Sequence, residues 1–381
     1  MPISARSPHG GPAKGSDLAP PAAPAPRRGS VRERSPRALS LSPSACHRLL
    51  LADNEPALAY RGGPVKAFQR RLRPALRRLT GFDRLPAPTA RPALAPRTLD
   101  RFEHPLGAIE KVVFRAERGA DVPAYFCVPH GARPPYPVAI CLQGHTTGMH
   151  NSIAVAAEDE RSPSPIKVEG DRDFALGCLR RGVAALCIEQ RSFGERRELL
   201  QPRRSFHNAC HDAAMRALLL GRTLLAERVY DVDRGIDYLT SRGDVDLTRV
   251  GVMGNSGGGT VAIWAGALLS RVRFLIPSCS FCTIEDSIAS IHHCADNYVP
   301  GLVPIADIDD VLGLFAPRPV VIVAGANDAI FPLPGVRRAF RRLRAIYRAA
   351  GAPDGCRLVV GPEGHRFYED LAWREASDLF P

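Results

Sequence analysis

Aromatic residues are scarce in this 381-residue chain, at 7% with two tryptophans, and none precedes Tyr60. Pro, Ala, Ser and Gly instead fill 29 of the first 45 positions. Such a segment cannot bury enough surface to offset its chain entropy, so residues 1–45 are expected to be a disordered basic tail. It also lacks an apolar run of signal-peptide length, and Arg27 and Arg28 are followed by polar residues rather than a hydrophobic stretch. An organellar transit peptide would also be basic and poor in acids, but the prolines oppose an amphipathic helix. The expectation is a cytoplasmic protein. Long hydrophobic spans are missing too. The longest suspicious stretch, residues 250–270, is uncharged but contains six glycines, Asn255, Ser256 and Thr260, so no membrane span is expected. The ten cysteines are scattered, which fits reduced and mostly buried thiols rather than a disulfide framework.

The shortage of acid is local. Residues 1–100 hold 18 Lys/Arg and 6 Asp/Glu, whereas residues 101–381 hold 33 of each. The net charge of +12 therefore belongs to the front of the chain. The rest carries no net field to attract phosphates, and the tail arginines have no interleaved aromatics, so nucleic acid is not an expected partner. No P-loop is present, nor a G-x-G-x-x-G after the first strand.

Residues 64–79 place Val65, Phe68, Leu72, Leu76 and Leu79 at helical spacing with arginines between. Residues 46–98 thus read as a helix and a proline-rich linker packed on a main domain spanning 99–381. There, short apolar runs at 109–116, 122–128, 137–142, 183–188, 249–253, 272–277, 319–324 and 357–360 predict strands. Helical patterns cover 171–181, 209–226, 231–241, a segment from Ser256, 334–350 and 368–379. Apolar strands alternating with helices predict an α/β fold, with a mostly parallel sheet covered on both faces. A small cap-like insertion is expected near residues 280–305.

The strongest chemical signal is Gly254-Asn255-Ser256-Gly257-Gly258, set between an apolar strand and a helix of small residues. A serine on so tight a turn projects its hydroxyl above the sheet, and Gly254 and Gly258 give it room. Its base and orienting acid should follow as Asp and then His, each after a strand. Asp328 lies 72 residues past Ser256, and His365 lies 37 residues past Asp328; no other histidine follows His293. Asp286 and Glu285 are the reserve acids. The loop Gln143-Gly144-His145-Thr146-Thr147-Gly148 follows the 137–142 strand, where a second oxyanion donor is needed. The backbone N–H groups of His145 and Gly257 are the candidates.

With these residues the chain resembles the α/β-hydrolase superfamily, specifically its dienelactone-hydrolase-like and acetyl-xylan-esterase-like branch. The resemblance covers about residues 99–381. It rests on Cys141-Leu142-Gln143-Gly144-His145, on Asp173-Phe174-Ala175 through Arg181-Gly182-Val183, on residues 189–196 (EQRSFGER), and on the serine turn, Asp328 and His365. It implies an α/β-hydrolase fold and a serine esterase with Ser256, Asp328 and His365 as triad; it does not carry over the substrate, for which short-acyl or acetyl carboxylic esters, cleaved through an acyl-enzyme, are the expectation. Two departures stand out. The oxyanion loop begins Gln143-Gly144 where the family usually has His-Gly, and dienelactone hydrolases use a cysteine nucleophile where this chain has Ser256.

No metal or organic cofactor is required by this chemistry. Cys279, Cys282, His292, His293 and Cys294 offer a possible zinc set, but their spacing favours pocket-lining or buried thiols. Arg337, Arg338, Arg341, Arg342, Arg344 and Arg348 read as a solvated helix face. The alternative functions are the same triad acting as a peptidase, amidase or acyltransferase, and a non-catalytic binding protein on a hydrolase scaffold.

Overall fold

The computed structural model describes residues 40–145, 148–156, 164–197 and 209–379. The chain divides into two units, Met1–Leu49 and Leu50–Pro381. Of the first, residues 1–39 of the expected tail lie outside the described residues. Helix α1 (Pro43–Ala52) begins inside the stretch expected to be disordered, and none of its residues is buried.

The second unit contains helix α2 (Val65–Thr80) and a nine-stranded sheet. Its strands are β1 (Arg97–His104), β2 (Gly107–Glu117), β3 (Ala120–Pro129), β4 (Tyr136–Leu142), β5 (Ala184–Ile188), β6 (Val245–Asn255), β7 (Phe274–Ser278), β8 (Val320–Gly325) and β9 (Cys356–Gly361). The order across the sheet is β1-β2-β3-β5-β4-β6-β7-β8-β9. The first three strands pair antiparallel, as does β3 with β5; every later pairing is parallel. The parallel strands β5, β7 and β8 are buried along their whole length, as strands covered on both faces must be. Strand β1 escaped the sequence reading because its residues RTLDRFEH are largely exposed and form no apolar stripe.

The period of two along each strand feeds two cores. On β4, Val138, Ile140 and Leu142 join a cluster with residues of α2, α5 (Leu224–Arg242), α6 (Gly257–Leu268), α7 (Ile308–Gly313) and α8 (Leu333–Ala349). Ala139 and Cys141 join the opposite cluster with α3 (Phe174–Leu179) and α9 (Glu369–Ala376). All twelve residues of α6 are buried, which explains why its sequence has no polar face. On α8 the arginines at 337, 341, 342, 344 and 348 are exposed while Val336, Leu343, Ile346 and Tyr347 are buried.

The break between the expected helices 209–226 and 231–241 was misplaced, since α5 already starts at Leu224. The expected helix over 209–226 stops within α4 (Ala209–Leu219), because the chain turns at Gly221 with φ 70°. Thr223 then caps α5, its hydroxyl accepting the Ala226 N–H at 3.1 Å. Gly221 and the capping Thr223 are the sequence signals of this break, set between apolar residues that otherwise continue the helical pattern. Helix α7 was also missed; it is six residues long and starts with a capping box on Asp307.

Candidate active site

Strand β6 ends at Asn255 and α6 starts at Gly257, leaving Ser256 alone to make the turn. It does so at φ 57° and ψ −123°, a region that side chains rarely enter. The Ser256 N–H donates to Ser278 O on β7 at 2.9 Å, and Ser256 O accepts the Thr260 N–H at 2.9 Å. The flanking glycines are forced by close backbone. A Cβ on Gly254 would lie 2.6 Å from Leu142 O, and one on Gly258 would lie 2.1 Å from the same oxygen. Main-chain atoms of a central strand cannot swing aside. Gly258→Ala should therefore lower the urea midpoint by an amount equivalent to about 1–3 kcal/mol or more. An unchanged midpoint would contradict this crowding.

The loops after β8 and β9 are pressed together, since a Cβ on Gly325 would lie 2.0 Å from Gly364 O. That contact brings Asp328 to His365, with Nδ1 to Oδ2 at 2.8 Å. The other Asp328 oxygen accepts the N–H groups of Ile330 at 2.8 Å and Phe331 at 3.2 Å. Burial works against the carboxylate, but the His365 hydrogen bond and these amides hold its pKa below the ordinary 3.8. The Phe331 ring stacks on the imidazole at 6.0 Å. The reserve acids lie elsewhere: Asp286 pairs with Arg338 and Thr283, and Glu285 is exposed.

Among the described residues no hydrogen bond joins Ser256 Oγ to His365; such contacts often tighten only when substrate binds. The neighbouring thiol is no rival nucleophile. Burial and the Asp328 charge push Cys279 up to about 12, so it stays neutral near pH 7.

The loop after β4 runs against the serine turn. A Cβ on Gly144 would lie 3.0 Å from Ser256 Cβ, and one on Gly257 would lie 3.7 Å from the His145 ring. The first N–H groups of α6 have no partner within the helix. Gln143, which stands where the family usually has histidine, is a buried pin. Its side-chain amide donates to Ser152 Oγ at 2.8 Å and to Arg172 O at 2.6 Å, and its backbone carbonyl accepts from the Gln190 side chain. The Glu189 carboxylate accepts the Met149 N–H at 3.2 Å, and burial raises its pKa to about 7. Sequence reasoning quoted residues 189–196 as a signature without assigning them this bracing role. Thr146 and Thr147 lie outside the described residues.

The possible zinc set does not assemble. Cys279 faces Asp328 and His365, Cys282 donates to Pro332 O at 3.7 Å, His293 packs on Phe331 and His292 is exposed. Cys294 instead joins His145, Cys210 and Asp296. Arg228, fully buried, pairs with Asp296 at 2.5 Å and donates to Cys210 Sγ at 3.4 Å. The Cys294 thiol, the Arg228 charge and His145 bring Cys210 down to about 5, against the effect of burial. Cys210 went unnoticed in the sequence because 65 residues separate it from His145.

Comparison with known proteins agrees with this architecture. Residues 170–299 match the acetyl xylan esterase (AXE1) family model. The hydrolase YtaP of Bacillus subtilis (strain 168) is 28% identical over 285 residues, covering 73% of this chain and 89% of that protein. A crystal structure described as an acetyl xylan esterase from Bacteroides fragilis NCTC 9343 superposes with a TM-score of 0.72 at 18% identity, covering 92% of this chain and 97% of that one. A glucuronoyl esterase from Solibacter usitatus gives 0.56 at 17% identity, covering 85% and 99%. The chain has an α/β-hydrolase fold, and its similarity to the acetyl-xylan-esterase-like branch supports the hydrolysis of carboxylic esters.

Proposed function

We propose that the chain is a serine esterase that removes short acyl groups, acetyl foremost, from a small hydroxylated molecule through an acyl-enzyme. The observation that carries this reading is the 2.8 Å pair of His365 Nδ1 with buried Asp328, on loops at the same carboxyl-terminal end of the parallel strands as the strained Ser256 turn. In the first step Ser256 Oγ attacks the ester carbonyl carbon while His365 Nε2 takes the hydroxyl proton. Asp328 holds the imidazole by its other nitrogen and stabilises the cation that forms. The backbone N–H groups of His145 and Gly257 receive the oxyanion. The alcohol leaves with the proton from His365. Water, activated by the same imidazole, then releases the acid and restores Ser256. Every step uses side chains and backbone amides of this chain.

The acetyl preference and the hydroxylated substrate are drawn from the name of the matching family and of similar structures, acetyl xylan esterase. Paired nitrophenyl esters and nitroanilides of the same acid, from acetyl to octanoyl, test the reading. The acetyl ester should be cleaved fastest, and each ester should exceed its anilide. Preference for the anilide, or for octanoyl over acetyl, would overturn it.

A further inference from the structure

We propose that His145, Cys210, Cys294 and Asp296 form a tetrahedral site for a zinc ion, which ties the loop after β4 to α4 and to the 3-10 turn at Ala295–Asn297. Three separate stretches of sequence converge here. The ligand-capable atoms of the four residues all lie within 4.8 Å of one another. His145 Nε2 is 3.1 Å from Cys294 Sγ, 3.5 Å from Cys210 Sγ and 3.6 Å from Asp296 Oδ2. Usual zinc bond lengths imply ligand-to-ligand edges of about 3.3–3.8 Å in a tetrahedron. The three edges from His145 therefore already have nearly the dimensions of a coordination shell, and the remaining edges lie within 4.8 Å.

The donor chemistry fits zinc better than it fits a hydrogen-bonded cluster. Thiols are weak donors and weak acceptors, so two of them beside an imidazole add little as hydrogen-bond partners. Two sulfurs, a ring nitrogen and a carboxylate oxygen are a soft-to-borderline set of the kind that selects zinc over calcium or magnesium. Charge also closes. Two thiolates and a carboxylate around a divalent ion leave one negative charge, which the buried Arg228 guanidinium matches. On binding, any proton still held by the two sulfurs goes to solvent.

The outer partners are in place as well. Arg228 donates to Asp296 Oδ2 and Cys210 Sγ, and Asn297 donates to Asp296 Oδ1 at 2.7 Å. Thr260 on α6, one turn beyond Ser256, donates in turn to Asn297 Oδ1 at 2.7 Å. Such second partners fix ligand orientation. The His145 ring, partly exposed, gives the ion an entry path. The ion takes no part in the ester chemistry; it anchors the loop that carries the His145 N–H.

The test uses the full chain, loaded with zinc, passed through metal-free buffer and read by plasma mass spectrometry. About one zinc per chain is expected. The Cys210→Ser/Cys294→Ser double variant should lose at least about 10–100-fold in affinity, while Cys282→Ser, a buried thiol outside the cluster, should retain the metal. Cobalt titration of the unaltered chain is a second measurement that needs no variant. Intense visible bands with a thiolate-to-cobalt charge-transfer band are expected. A chain that holds neither zinc nor cobalt overturns the site, as does a folded double variant that binds like the unaltered one. Both readouts are independent of turnover, so they stand or fall apart from the esterase reading.

Discussion

Ser256→Ala and His365→Ala should each lower turnover of a short-chain aryl ester by about 10⁴–10⁶-fold, and the double variant should lose no more than either alone. The reason is that the two groups act as one. Without the hydroxyl the imidazole has no proton to take, and without the imidazole the hydroxyl is a poor nucleophile. Asp328→Asn should cost less, because a misoriented imidazole is still an imidazole. The Asp328 contacts predict how it fails: the carboxylate that receives His365 Nδ1 at 2.8 Å is replaced by an amide that can present N–H instead. All three variants should keep the fold, since the residues occupy loops at strand ends and support no core cluster. Multiplying losses in the double variant would mean that the residues act independently. Near-normal turnover by Ser256→Ala would remove the serine mechanism.

Arg228→Met should destabilise the chain by about 3–5 kcal/mol, the largest stability loss foreseen for a single substitution here. Arg228 and Asp296 are both 2% exposed and meet at 2.5 Å. The guanidinium also donates twice to Arg191 O and lies over the Phe193 ring at 4.2 Å. Methionine fills part of that volume but leaves the Asp296 carboxylate buried without its cation. The urea midpoint should drop accordingly. Combining Arg228→Met with Asp296→Leu should recover part of the loss, because the uncompensated charge is gone. A midpoint unmoved by the single change would show that the pair is not desolvated.

The fold could be read from sequence where one physical rule dominated. Buried parallel strands are runs of apolar residues, so β4 to β9 stood out within a few residues of their observed ends. The serine turn was legible because it can be built only with small neighbours: a Cβ on Gly258 would lie 2.1 Å from Leu142 O. Asp328 and His365 followed from their places at strand ends. What stayed hidden depends on tertiary contact. Strand β1 pairs with β2 but buries no stripe, so its alternation is faint. Gln143 looked like a departure from the family pattern, and only its three hydrogen bonds reveal a replacement pin. The cluster of His145, Cys210, Cys294 and Asp296 has no overall spacing signature, since a loop, a helix and a distant 3-10 turn deliver its members. Cysteine spacing instead drew attention to Cys279 and Cys282, which face different neighbours.

Labelling with a fluorophosphonate, followed by peptide mass mapping, tests the nucleophile most directly. The expected product is a single phosphonyl adduct on Ser256, absent from Ser256→Ala and formed much more slowly in His365→Ala. An adduct on Cys279 or on another serine, or an unlabelled chain that retains full ester turnover, would contradict the mechanism.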